Sequence, residues 1–241
     1  MQTESKQVTK KTWLGIIIAI VLMAATVAIS YKMGDTKYYV ASVLCIFYAM
    51  IPFVMGFENR KPMPREMVTI AVLTALAVIS RVIFIAIPFC KPVIGVIFIA
   101  GMGMGAGSGF MVGALTAIVS DIICGQGPWT PWQMLAFGLA GFIGGVLCRK
   151  GLIKGDKPLV PAIISGLLCI IVVGPILDTS TLLVMSNMVD TTSAGAVYLS
   201  GLPVNAVLGA ATFVTVLVLA KPMLEKLDRV KVKYGMMEEE E

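Results

Sequence analysis

Long apolar runs alternate along the chain with short polar breaks, and the runs set its organisation. A helix that crosses a bilayer needs about 20 mostly apolar residues. Eight segments meet or approach that length: Trp13–Tyr31, Tyr38–Phe57, Glu66–Ile87, Pro92–Met104, Gly109–Cys124, Trp132–Cys148, Leu159–Met185 and Leu202–Ala220. The fourth and fifth are joined by GMGMGAGSG, residues 101–109, which is either a linker or helix continuing into a tight turn. The pattern predicts an all-α, multi-pass transmembrane bundle of eight helices.

Composition agrees. Of 241 residues, 58% are hydrophobic and only 14% charged, with a mean hydropathy of +0.92. A soluble domain carries about a quarter charged residues. Such an apolar chain has too little polar surface to face water on all sides. Lys10 and Lys11 precede the first run, but that run is long for a signal peptide and no small-x-small cleavage site follows it. It reads as a retained helix.

Charge placement fixes the expected orientation. With the N-terminus in the cytoplasm, the inner segments hold Lys6, Lys10 and Lys11; Arg60, Lys61 and Arg65; Arg149, Lys150, Lys154 and Lys157; and Lys221, Lys226, Arg229, Lys231 and Lys233. That is 15 of the 19 basic residues, against Lys32, Lys37 and Lys91 outside, with Arg81 left inside a helix. This bias predicts an even number of spans with both termini cytoplasmic. The same scatter argues against a nucleic-acid surface. The polar stretch FENRKPMPRE, residues 57–66, divides an N-terminal hairpin with its linker (1–63) from a six-helix core (64–222), and 223–241 forms a cytoplasmic tail with amphipathic helical character.

Polar residues inside a membrane are costly and mark candidate sites. Arg81 lies about two turns from the outer end of the third span, either snorkelling or facing a cavity. The densest group is SDIICGQGPWTPWQM, residues 120–134, with Asp121, Gln126, Trp129, Thr130, Trp132 and Gln133. Its tryptophans fit an interfacial belt. The favoured reading is a loop closing over a flat, polar ligand, with aromatic faces for stacking and amides and a carboxylate for orientation. Asp178 lies in the seventh span, and an Arg81–Asp178 ion pair is expected. Asn187, Asp190 and Tyr198 fall in the next outer loop, and Asn205 begins the eighth span.

Other chemistry has little material. There is no histidine, no CxxC pair among the five cysteines and no GxxxxGK[ST] phosphate loop. Neither a catalytic constellation, a metal site nor a cofactor is expected, and any ATP hydrolysis must come from another subunit. Small residues at helical spacing, Ala71 and Ala75 in the third span and Gly141 and Gly145 in the sixth, predict close helix packing, internal or against a partner.

The blocks REMVTIAVLTALAVISR, KPVIGVIFIAGMGMGAGSGFMVGALTAIVSD, GQGPWTPWQMLAFGLAGFIGG and GLPVNAVLGAATFVTVLVLAKPMLEKLDRVKVKYG resemble the substrate-binding S components of energy-coupling factor (ECF) vitamin transporters, over roughly residues 64–235. The resemblance implies a six-helix core matching the third to eighth spans. The N-terminal hairpin departs from that pattern and resembles a subgroup with added N-terminal helices. It also implies a non-enzymatic subunit in a prokaryotic cell membrane that captures a vitamin from outside. Such a subunit joins a transmembrane coupling subunit and two cytoplasmic ATPases, and topples in the bilayer to release its ligand inwards. Ala71 and Ala75 match the motif that contacts the coupling subunit. The loops around Phe89–Lys91, Gln126–Gln133 and Asn187–Tyr198 match those that form and cover the ligand site. The blocks resemble the branch linked to cobalamin or related large ligands. The rival reading is a self-sufficient secondary transporter of a small organic solute, which would call for midplane ion sites or inverted repeats.

Overall fold

The computed structural model describes residues 38–58, 62–87, 90–153, 155, 157–185 and 191–235, with the isolated positions 17, 18, 21, 22 and 25. Among the described residues all regular structure is helical. The helices are α1 (Tyr38–Glu58), α2 (Pro64–Ile83), α3 (Val93–Met104), α4 (Ala106–Cys124), α5 (Thr130–Arg149), α6 (Leu159–Leu168), α7 (Gly174–Met185) and α8 (Thr191–Lys233). A π-helical turn, Cys169–Val173, makes α6 and α7 one continuous rod. Seven rods are therefore described. Of the expected first span only the five isolated positions are described, and those are helical. Among the described residues five helices are long and apolar enough to cross a membrane, which establishes an all-α multi-pass membrane bundle.

The short helix α3 is the centre. Its sequence VIGVIFIAGMGM has no polar side, and Val93 to Gly103 are all buried. A helix that is apolar all round belongs inside. It is surrounded by α2, α4, α5 and α8, while α4 and α5 form the most extensive pair. Gly105, at φ +89°, reverses the chain between α3 and α4 in a single residue. That conformation is one only glycine adopts readily. The glycine-rich piece is thus helix on both sides of one hinge.

Missing Cβ atoms explain the α3–α4–α5 contact. A Cβ on Gly101 would stand 1.9 Å from the Gly141 carbonyl oxygen, and one on Gly141 would stand 2.1 Å from that of Gly109. Three backbones therefore touch along one seam. On the same seam α1 presents Ile46, Met50, Phe53 and Phe57 at helical spacing. The Phe53 ring stacks on Phe110 of α4 at 4.3 Å and meets Phe142 of α5 edge-on at 5.1 Å. The second half of the expected hairpin is thus packed into the core.

Three boundaries differ from expectation. Helix α2 stops at Ile83 instead of Ile87, and residues 84–87 continue as turns, with Ile85 N–H donating to the Val82 carbonyl and Ile87 N–H to that of Phe84. Helix α4 ends at Cys124, as expected for the fifth span, but α5 begins at Thr130 instead of Trp132, leaving only residues 125–129 of the polar stretch between them. Helix α8 begins 11 residues before Leu202 and runs unbroken through Pro203 and Pro222 to Lys233. The last expected outer loop therefore ends in helix from Thr191, despite Gly195, a poor helix former. The anticipated separate C-terminal amphipathic helix is the end of α8.

Candidate ligand site at the Arg81 end

Arg81 occupies the last turn of α2 and is only 6% exposed. Its partner is Asp121, near the end of α4, which is wholly buried: Nη1 lies 2.9 Å from Oδ1. The same Nη1 donates to the buried Ser120 hydroxyl. The other Asp121 oxygen accepts from Thr130 Oγ1 at 2.8 Å. Asp121 thereby ties the ends of α2 and α4 to the start of α5. Beneath it, the Arg81 guanidinium lies 5.6 Å from the centroid of Phe137, about two turns further along α5. Cation–π contact contributes more when desolvated, as here.

The expected Arg81–Asp178 pair does not form. Helix α2 packs on α3 and α4, whereas α7 packs on α5, α1 and α8. Helix α4 carries Asp121, within the expected fifth span, to a position beside Arg81. Asp178 instead accepts from Asn205 Nδ2 of α8 at 2.7 Å. Gly201 makes that approach possible, since a Cβ there would lie 2.5 Å from either carboxylate oxygen. Thr179 and Tyr198 share a second hydroxyl contact at 2.7 Å, and Tyr198 is on helix α8 instead of in a loop. This polar seam follows directly on the π-helical turn, a distortion frequent at functional sites.

The remaining expected residues divide as follows. Lys91 is half-buried in the α2–α3 connection. Burial and then the Arg81 charge lower its pKa, opposed by Cys124 and Asp121. Trp132 is buried and Gln133 half-buried in the first turn of α5. Gln126 and Trp129 are exposed on the connecting loop, and the Trp129 ring lies over Gly127. Phe89, Asn187 and Asp190 lie outside the described residues. The site residues thus form two groups, one around Arg81 and Asp121 and one around Asp178 and Asn205. Sequence reasoning missed Ser120 and Phe137. Ser120 was legible as the polar neighbour of Asp121, and Phe137 as the residue one turn beyond Gln133.

Three buried polar atoms at this end have no partner among the described residues: Arg81 Nε, Trp132 Nε1 and Gln133 Oε1. A buried donor or acceptor left unsatisfied costs about 1–3 kcal/mol. Two donors and one acceptor are thus available to a ligand bearing the complementary groups. No group of three or more His, Cys, Asp or Glu able to hold a metal occurs among the described residues.

The two small-residue pairs part company. Gly141 and Gly145 are buried against α4 and the Gly105 hinge. Ala71 and Ala75 are exposed on α2 beside Val68, Val72, Leu76 and Ile79, all more than 40% exposed.

Comparison with known families gives one match: the family model for the ECF-type riboflavin transporter, S component, matches residues 61–228. The matched span begins just before α2 and ends within α8, leaving α1 outside it. It supports the S-component resemblance but not the cobalamin branch. Neither a curated protein nor a solved structure matches the chain.

Proposed function

The chain belongs to the ECF-type riboflavin transporter S component family, whose members are transporter subunits and not enzymes, and on that premise we propose that it captures a flat, polar heteroaromatic micronutrient of the riboflavin class at the Arg81 end of the bundle. The observation that carries the reading is the trio of buried, unpartnered atoms Arg81 Nε, Trp132 Nε1 and Gln133 Oε1. They stand in or beside the Arg81–Asp121–Thr130 cluster. A heteroaromatic ring edge carries both acceptors and donors, and its faces suit stacking on indole. The fixed Arg81–Asp121 pair preorganises the site, which lowers the ordering cost of binding.

In the same proposal the Arg81 end faces outward and both termini are cytoplasmic, as the loop charges argue. The membrane is that of a prokaryotic cell. The exposed Ala71/Ala75 face of α2 seats a transmembrane coupling subunit, and two cytoplasmic ATPases supply the energy. Lipid gives little hydrophobic drive to such an association, so close approach over small residues suits a reversible contact. Residues 1–63, 64–222 and 223–241 act as hairpin and linker, binding core and tail. The loop positions Phe89, Lys91, Gln126, Trp129, Asn187 and Asp190 cover the ligand, and Asp178, Tyr198 and Asn205 line its α7–α8 side.

The test is to purify the chain from membranes, identify any retained small molecule by mass spectrometry, and titrate the ligand-free protein with riboflavin while following flavin fluorescence. The proposal expects saturable quenching that Trp132→Ala or Gln133→Ala weakens. No flavin binding, with a chemically different molecule retained, would overturn the substrate class.

A further inference from the structure

The family match ends at residue 228, but α8 runs on to Lys233 and the chain then turns at Tyr234 and Gly235. This end is attached to the start of the core. Arg65 Nη1, in the first turn of α2, donates to the Tyr234 carbonyl. Lys233 Nζ stands 5.5 Å from the centroid of the Tyr234 ring. One residue thus gathers two cations from the first and last helices of the core, and both are exposed. Among the described residues neither pairs with a carboxylate: Asp228 lies beside Lys231, and Glu66, next to Arg65, accepts from the Ser108 hydroxyl.

Arg65 also belongs to the outward face of α2. Positions 65, 68, 72, 76, 79 and 83 follow helical spacing, and all six are exposed. Ala71 and Ala75 flank that line. A protein helix lying along the face therefore meets apolar and small side chains for most of its length and a cation pair at one end. Packing over small residues brings the helices close but fixes their register weakly, since neighbouring apolar turns are alike. One charged contact at the end removes that ambiguity.

We propose that Arg65 and Lys233 form the charged end of the α2 docking face, and that the membrane protein seated there presents an Asp or Glu carboxylate at the level of Arg65. The inference rests on the docking reading of the Ala71/Ala75 face given above and adds the partner's chemistry. Hydrogen bonds between charged groups are roughly twice as strong as neutral ones, and the arginine fork adds directionality. The C-terminal extension of α8 is then a part of the docking surface, because it carries Lys233 and its Tyr234 carbonyl orients Arg65. An anionic lipid headgroup is the competing occupant.

The test co-purifies the full chain with its coupling subunit and ATPases, using wild type, Arg65→Glu, Lys233→Glu, the double reversal, Arg65→Lys and Ala71→Leu. Ligand binding by the isolated chain, at the opposite end of the bundle, serves as the check on folding. The expected result is roughly tenfold weaker assembly for the double reversal, with ligand binding unchanged and Arg65→Lys close to wild type. Lys233→Glu leaves the Arg65–Tyr234 contact in place, so it still reads the charge if the double variant folds poorly. Restored assembly when the partner's carboxylate is changed to lysine would complete the case. Wild-type assembly of both Lys233→Glu and the double reversal overturns the proposal. If Ala71→Leu also assembles normally, the docking reading itself fails; if Ala71→Leu alone abolishes assembly, only the charged end falls. Loss of a bound anionic phospholipid from the double reversal in native mass spectrometry, with assembly intact, would assign the cations to lipid and overturn the proposal.

Discussion

Gly141 and Gly145 on α5 share the small-xxx-small spacing of Ala71 and Ala75 on α2, yet the first pair is buried against backbone and the second faces outward. The difference lies in one carbon. At Gly141 a Cβ would meet the Gly109 carbonyl at 2.1 Å, so the α4–α5 seam closes only without it. Alanine keeps its Cβ and leaves a shallow, apolar surface that can be covered and uncovered. The seam therefore makes a permanent joint, whereas the α2 face suits a reversible one. The two are not independent, because polar contacts pin α2 to α4 near both ends: Arg81 to Asp121 and Ser120, and Glu66 to Ser108.

Those pins give the largest expected effect. Asp121→Asn keeps the size of the side chain but leaves Arg81 buried without a counter-charge. Breaking a buried pair from one side costs about 3–5 kcal/mol, so the variant should lose most of its thermal stability in detergent. A melting point equal to wild type would show that α2 is not held by this pair. Gly141→Ala comes next, at about 3 kcal/mol, because a backbone neighbour cannot swing aside as a side chain can. Its signature is a lower melting point together with weaker ligand binding.

Ser108→Ala sharpens the comparison at the other pin. Ser108 is buried and donates to Glu66. Losing that bond should cost about 1–2 kcal/mol, with weaker partner assembly and unchanged ligand affinity. Ala71→Leu should leave the melting point within about 0.5 kcal/mol of wild type, the range for surface substitutions, while sharply reducing co-purification of the partner. A large fall in stability would place Ala71 in the wrong region. The smallest effect concerns Lys91. Its pKa is lowered in the folded chain, so the unfolded chain binds more protons in the window below 10.5, the ordinary lysine value. Stability should therefore rise as the pH climbs through that window, and Lys91→Gln should abolish that component of the melting-point profile.

Much of this architecture could be read from the apolar runs. The described spans, their order and the membrane class follow from run length and from the charged breaks. The partnership of Arg81 could not be read in that way. The expected partner was Asp178 alone, although Asp121 also lay within an expected span, Gly109–Cys124. Helix neighbourhood decided the matter: α4 packs against α2, whereas α7 packs on α5, α1 and α8. Likewise the length of α8 was hidden by Pro203 and Pro222, which a long packed helix tolerates. The polar site residues were mostly legible as a set, because polar groups in apolar surroundings stand out. Their division into two groups was not, since sequence does not say which helices are neighbours.

The central claim is that this chain binds the substrate but does not itself drive transport. The most direct measurement is riboflavin accumulation in sealed liposomes containing the purified chain, with and without its coupling subunit and ATPases. Binding by the chain alone, with accumulation only when the other subunits and internal ATPase access to ATP are present, is the predicted result. Robust accumulation driven by an ion gradient through this chain alone would contradict it.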